Sequence, residues 1–235
     1  MQTDKAVILL PRTLSPLDII DRFPAQMRAS DLESVYSAFL EDIIEDLNGL
    51  SRVHIVLGCD PVAHESFSSS HVRGAYESLD IGGSDLKTRI DSAIDSLFAE
   101  RFRHLVLLKA HNPLLHLSVI QKSFMLLASD EDAVVLGPTE RGSCYLLGMK
   151  SPRLDLLDVF IEPETTFDEV LKCVCGSDVF VFTLSKMFSV ERWDDFTRLR
   201  DEIESIQQAK KPIPRRTYDR LKQLDRKYRS NKLAP

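Results

Sequence analysis

The sequence predicts an α/β fold, a three-layer α/β/α sandwich around a mostly parallel, mixed sheet. Two observations predict it. Apolar runs of strand length alternate with segments of helical period along most of the chain, which is the pattern of βαβ units and parallel strands. One pair of runs, Ala133–Leu136 and Cys144–Met149, is joined across Thr139-Glu140-Arg141-Gly142-Ser143, a hairpin loop that brings an antiparallel strand into the sheet.

Taken in order, Ala6–Leu10 is the first strand and Pro11–Pro16 the loop after it. Ser30 and Glu33 have the spacing of a capping box, opening a helix through Leu47. Val35, Phe39, Leu40, Ile43, Ile44 and Leu47 keep helical spacing, and Asn48-Gly49 ends the helix. Val53–Cys59 is the second strand, followed by the Ser-rich His64–Ser70. Tyr76–Ile81 is a short strand, and Gly82-Gly83-Ser84-Asp85 turns into a helix over Leu86–Glu100 with Ile90, Ile94, Leu97 and Phe98 inward. His104–Lys109 is too short for a helix and lies between charged and turn residues, so it reads as a buried central strand. Pro113 blocks its continuation and leaves the polar pair His111-Asn112 at its end. Leu115–Ser129 is a helix; beyond the hairpin, Leu154–Phe160 and Thr166–Cys175 are helical and Val179–Leu184 is a strand. A long helix, Val190–Gln208, is capped by Ser189. The linker Lys210–Pro214 leads to a basic helix, Arg215–Tyr228, whose Tyr218, Leu221 and Leu224 form a stripe suited to packing or to a homodimer contact. Residues 1–208 thus form one domain and residues 209–235 a basic helical extension.

Composition narrows the function. With 43% hydrophobic and 28% charged residues, the 235-residue chain is that of a globular protein. No apolar run approaches the ~20 residues of a membrane helix, and Ala6–Leu10 is too short for a signal-peptide core, so a cytoplasmic protein with no membrane partner is expected. The four cysteines, Cys59, Cys144, Cys173 and Cys175, fit no zinc or CxxC pattern, as in a reducing compartment. Net charge is −6 but uneven: residues 209–235 hold ten Lys and Arg against two Asp, giving +8, and the remaining 20 basic and 34 acidic residues give −14. An acidic body argues against nucleic acid as its partner. The basic tail could meet RNA, an acidic partner or the protein's own acidic face. The sequence has no GxxxxGK[ST] loop, GxGxxG fingerprint, HExxH or GxSxG elbow. That removes most P-loop NTPases, simple dehydrogenases, zincins and α/β-hydrolases.

The positive signal is a resemblance. Gly83-Ser84-Asp85-Leu86-Lys87-Thr88-Arg89-Ile90 resembles a Gly-Asp-Leu-Gly-x-Arg-Met segment, and Leu136–Met149 resembles Leu-Gly-Pro-x-x-Asp-Gly-Gly-Tyr-Tyr-Leu-Ile-Gly-Leu. Ser34–Asp42 matches the same group's first helix, and Val190–Phe196 falls where that group starts a late helix. The four matches occur in order at compatible spacing. The group is the GT-A-like nucleotide-diphospho-sugar transferases, in particular bacterial glycosyltransferases related to molybdenum-cofactor and phospholactate guanylyltransferases. The resemblance runs from about Lys5 to Leu199. It implies a GT-A/Rossmann-like fold, a nucleotide or nucleotide-sugar ligand, and Mg²⁺ or Mn²⁺ held by carboxylates and donor phosphates.

The departures from the family pattern fall on the chemistry. Its basic, glycine-containing phosphate loop is here Pro11-Arg12-Thr13-Leu14-Ser15-Pro16, with no glycine and one cation. Its metal-binding Ser-Asp-Cys-Pro is here Ala110-His111-Asn112-Pro113, with no carboxylate. Asp-Gly-Gly is here Arg141-Gly142-Ser143, and Asp-Val-Asp is Ser189-Val190-Glu191, keeping one acid of two. Hard cations prefer oxygen ligands, and His111 and Asn112 do not replace an aspartate's charge. Arg141 could instead bind phosphate as a bidentate cation.

The candidate binding residues are therefore Arg12, Asp85, Arg89, His111, Asn112, Glu140 and Arg141, with Glu191 as the one candidate metal ligand. Each has a plainer reading. His111-Asn112 can be a strand-end turn, Asp85 a helix cap, Arg89 a salt-bridged helix residue, Glu140-Arg141 an exposed hairpin tip, and Glu191 a helix first-turn acid. Two functions stay open. One is a glycosyl- or nucleotidyltransferase using a nucleotide-activated donor, metal-independent if arginines carry the phosphates. The other is a catalytically degenerate relative acting as a binding module.

Overall fold

The computed structural model describes residues 3–11, 22–25, 27–58, 76–78, 86–129, 131–162, 165–175 and 178–229. Its centre is a seven-stranded mixed sheet of order β3-β2-β1-β4-β6-β5-β7. The strands are β1 (Lys5–Leu10), β2 (His54–Leu57), β3 (Glu77–Ser78), β4 (His104–Lys109), β5 (Ala133–Pro138), β6 (Cys144–Met149) and β7 (Phe180–Thr183). β1 pairs in parallel with β2 and β4, and β5 in parallel with β7. β6 is antiparallel to both of its neighbours, β4 and β5. The hairpin therefore enters the middle of the sheet and joins its two parallel halves.

Alternation along the strands sorts the core onto two faces. Val7 and Leu9 of β1, with Val106 and Leu108 of β4, pack under α1 (Ala29–Leu47) and α3 (Leu117–Leu127). Ala6, Ile8, Leu105 and Leu107 point the other way, under α2 (Leu86–Ala99), α4 (Leu154–Ile161) and α5 (Phe167–Val174). Strands apolar on both faces are what a sheet covered by helices on both sides requires. Tyr145 is buried across β5, and a Cβ at Gly137 would lie 2.6 Å from its ring, so glycine there makes room for the aromatic side chain.

A third cluster covers the outer side of α1. Leu32, Val35 and Phe39 meet Phe196, Leu199 and Ile203 of α6 (Trp193–Gln208) and Leu221, Leu224 and Tyr228 of α7 (Arg215–Arg229). The apolar stripe of the basic extension is thus packing against its own body. Charge follows the same docking. Arg216 reaches Glu41 and Asp42 at 3.2 Å as well as Glu45, and Lys227 reaches Asp31 at 2.6 Å. The buried Asp42 also accepts the Thr217 backbone N–H at 2.8 Å, in the first turn of α7.

Several local expectations change. Ser30 and Glu33 do not form a capping box: α1 begins at Ala29 after Arg28, which makes no side-chain cap. β2 stops at Leu57, and the third expected strand is limited to Glu77–Ser78 among the described residues. α3 begins two residues late because the His116 ring accepts the Ser118 N–H and fixes the start there. Ser189 does not cap the long helix, which starts at Trp193; the Asp195 carboxylate takes the backbone N–H groups of Glu191 and Arg192, both at 2.8 Å. Glu191 therefore precedes α6 and is not in its first turn. Gly82-Gly83, His64–Ser70 and Cys59 lie outside the described residues.

Candidate functional site

Ligands in open α/β sheets bind beyond the carboxyl ends of the strands. Here that edge carries the ends of β1, β2 and β4, the β5–β6 turn, and the segment between β7 and α6. β1 and β4 end in register, Leu10 beside Lys109, and the Ala110 N–H returns to the Leu10 carbonyl at 2.9 Å. The next residues turn away under Pro113. Asn112 fixes that turn: its buried side-chain amide donates to the Phe188 carbonyl at 2.8 Å, and its Oδ1 accepts the Leu114 N–H at 2.8 Å. The His111 carbonyl accepts the Val190 N–H at 3.0 Å. These bonds tie the segment before α6 to the end of the central strand.

The β5–β6 turn is tied to the same segment. Glu140 N–H donates to the Met187 carbonyl at 2.9 Å, and Thr139 bridges to Met187. Thr139 and Ser143 close the turn through their hydroxyls at 2.9 Å, and Gly142 sits at φ +87°, a conformation that favours glycine. The side chains at the tip are both engaged. Glu140 receives Arg198 through two hydrogen bonds, at 2.6 and 3.1 Å, which hold its carboxyl below the usual range. Arg141 pairs with the buried Asp195, the same carboxylate that caps α6.

The candidates named from the sequence thus separate. His111, Asn112, Glu140, Arg141 and Glu191 gather at one edge; Arg12 and Asp85 lie outside the described residues. Arg89 is buried on α2. Asn112 and Arg141 serve turn and cap geometry, while Glu191 accepts the Ser189 hydroxyl at 2.7 Å. Among the described residues no group of three or more His, Cys, Asp or Glu side chains gathers that could hold a metal ion. Asp195 and Glu140 already face guanidinium groups, and Glu191 stands as a single acid.

Sequence reasoning missed Lys109, which it took as the closing residue of a buried strand. Its side chain is half-buried, with Nζ 4.6 Å from the centroid of the Phe160 ring on α4. Burial brings its ammonium down to about 8, against the opposing influence of Cys144 and Glu191. A lysine closing an apolar run at the edge where ligands enter was the available signal.

The architecture is that of the nucleotide-diphospho-sugar transferases. A proposed nucleotide-diphospho-sugar transferase from Desulfovibrio desulfuricans G20 superposes with a TM-score of 0.69 at 20% identity, over 95% of this chain and 96% of that one. A cytidylyltransferase from Leptospira borgpetersenii gives 0.53 at 13% identity, over 98% and 96%. Molybdopterin-guanine dinucleotide biosynthesis protein A from Archaeoglobus fulgidus gives 0.53 at 11%, over 85% and 99%. At these identities the likeness is one of fold. Residues 43–161 match the model of a family described as an uncharacterized protein conserved in bacteria, DUF2064, and the chain belongs to that family. No curated protein matches it. No helix among the described residues is long and apolar enough to cross a membrane.

Proposed function

We propose that the chain is a glycosyl- or nucleotidyltransferase that binds a nucleotide-activated donor at the carboxyl edge of its sheet. The observation that carries this reading is the pair of bonds joining the segment before α6 to the end of β4, Asn112 to Phe188 and Val190 to His111. They bring Lys109, His111 and Glu191, from distant parts of the sequence, to the edge where ligands of such sheets bind. The nucleotide-handling structural neighbours support the same substrate class.

A second reading, a binding module without turnover, is favoured by the engagement of Asn112, Glu140 and Arg141 in the protein's own hydrogen bonds. A thermal-shift panel of nucleoside di- and triphosphates and nucleotide-sugars, with and without Mn²⁺, tests for the ligand. A ligand at a hundredfold excess over its Kd stabilises the native state by roughly 2.7 kcal/mol, and the proposal expects at least one such shift. Failure to bind any member of the panel in either condition rejects it. Transfer to water or an acceptor, followed by nucleotide release, separates the transferase from the module.

A further inference from the structure

We propose that the Lys109 ammonium receives the phosphates of the bound donor, in the place where a divalent cation would serve a carboxylate-lined site. The inference rests on the transferase reading above and names the group that neutralises its ligand.

Position comes first. Lys109 ends the strand at the middle of the sheet, beside Leu10 at the end of β1, on the edge where a ligand of this architecture enters. Its side chain is half-buried, and its ammonium rests over the Phe160 ring at 4.6 Å. A ring face holds a cation weakly compared with a charge-assisted hydrogen bond to phosphate. The flexible four-carbon stem of lysine allows the ammonium to leave one for the other. Phe160 thus provides a resting place that a phosphate can outcompete.

Two other described cations at this edge, Arg141 and Arg198, are held more firmly. Arg141 is bound to Asp195, whose carboxylate also caps α6, and Arg198 is bound twice by Glu140. Drawing either to a phosphate would leave its carboxylate partner, a buried one in the case of Asp195, with fewer donors. The acids at this edge point the same way. A hard divalent cation takes six or more oxygen ligands, with carboxylates and phosphates supplying the charge. Among the described residues no three acids gather here: Asp195 and Glu140 face guanidinium groups, and Glu191 is already bonded by Ser189. The described donor set does not fit a resident Mg²⁺ or Mn²⁺, whereas a cation on the protein itself fits a ligand that brings its own negative charge.

The test uses the full chain with CTP, GTP, UTP, UDP-glucose and GDP-mannose as probes, in EDTA and in Mn²⁺. The wild type should bind at least one probe in EDTA with an affinity that Mn²⁺ changes less than threefold. Lys109→Met, close in length and without charge, should weaken that binding at least tenfold, and Lys109→Arg should restore it to within threefold. Equal binding by Lys109→Met, or wild-type binding that requires Mn²⁺, overturns the proposal while leaving the transferase reading intact. No binding of any probe by the wild type in either condition overturns both. Acetylation footprinting of the wild type needs no variant: the bound probe should protect Lys109 at least fivefold, and an unchanged Lys109 rate overturns the assignment.

Discussion

Asp195 shows how one buried side chain can look like a site residue's partner and act as a structural clasp. It accepts two backbone N–H groups at the start of α6 and the guanidinium of Arg141 from the β5–β6 turn. Asp195→Ala removes all three bonds and should destabilise the fold by about 2–4 kcal/mol. Arg141→Ala leaves the backbone donors in place and should cost about 1–2 kcal/mol. Urea denaturation of both variants checks the order; an Arg141→Ala loss equal to that of Asp195→Ala would refute the clasp. Cysteine chemistry gives a second prediction at this scale. Burial pushes the Cys144 thiol up to about 11, while Cys173 and Cys175 are exposed. Thiolate is the reactive form, so iodoacetamide at pH 8 should label Cys173 and Cys175 and spare Cys144, as read by peptide mass mapping. The sequence put Asn112 at a strand end and Arg141 in a hairpin turn but could not show their engagement. Their partners Phe188 and Asp195 lie 76 and 54 residues away, and no local pattern encodes such a distance.

At the scale of elements, periodicity carried well and capping carried poorly. β1, β4 and β6 are apolar on both faces and were legible as buried strands, and the hairpin was legible from its turn residues. Helix starts depended on particular bonds. Ser30 and Ser189 have the right chemistry for caps, but Arg28, His116 and Asp195 stand at or control the starts of α1, α3 and α6. For the basic extension the structure selects one of the alternatives its sequence left open. Its apolar stripe covers α1 and Arg216 sits among Glu41, Asp42 and Glu45, so its charge meets the protein's own acidic face. Burying a Leu or aromatic side chain contributes about 1.5–3 kcal/mol, and a domain has only about 5–15 kcal/mol in total. A chain ending at Gln208 loses Leu221, Leu224 and Tyr228 from that contact. It should lose cooperative thermal unfolding by circular dichroism or elute as aggregate in size-exclusion chromatography. A stable, monomeric truncation would show that α7 is dispensable.

For the whole molecule, the sheet order explains why the fold was recognisable while its chemistry was not. Among the described residues the in-order sequence matches fall on α1, the start of α2, the β5–β6 hairpin and the start of α6, elements of an architecture shared with a protein only 20% identical. The departures from the family pattern fall at the sheet edge instead, on His111 and on Arg141, which Asp195 holds. The packing of α7 on α1 has a further consequence, in the time domain of biosynthesis. The Asp42–Arg216 contact joins residues 174 positions apart. At about 5–20 residues per second, the outer face of α1 waits roughly 9–35 s on the ribosome before its cover is made. Leu32, Val35 and Phe39 lack the α7 part of their cover throughout that interval, and the α6 part for most of it, so the nascent chain exposes there a surface that the finished protein never displays.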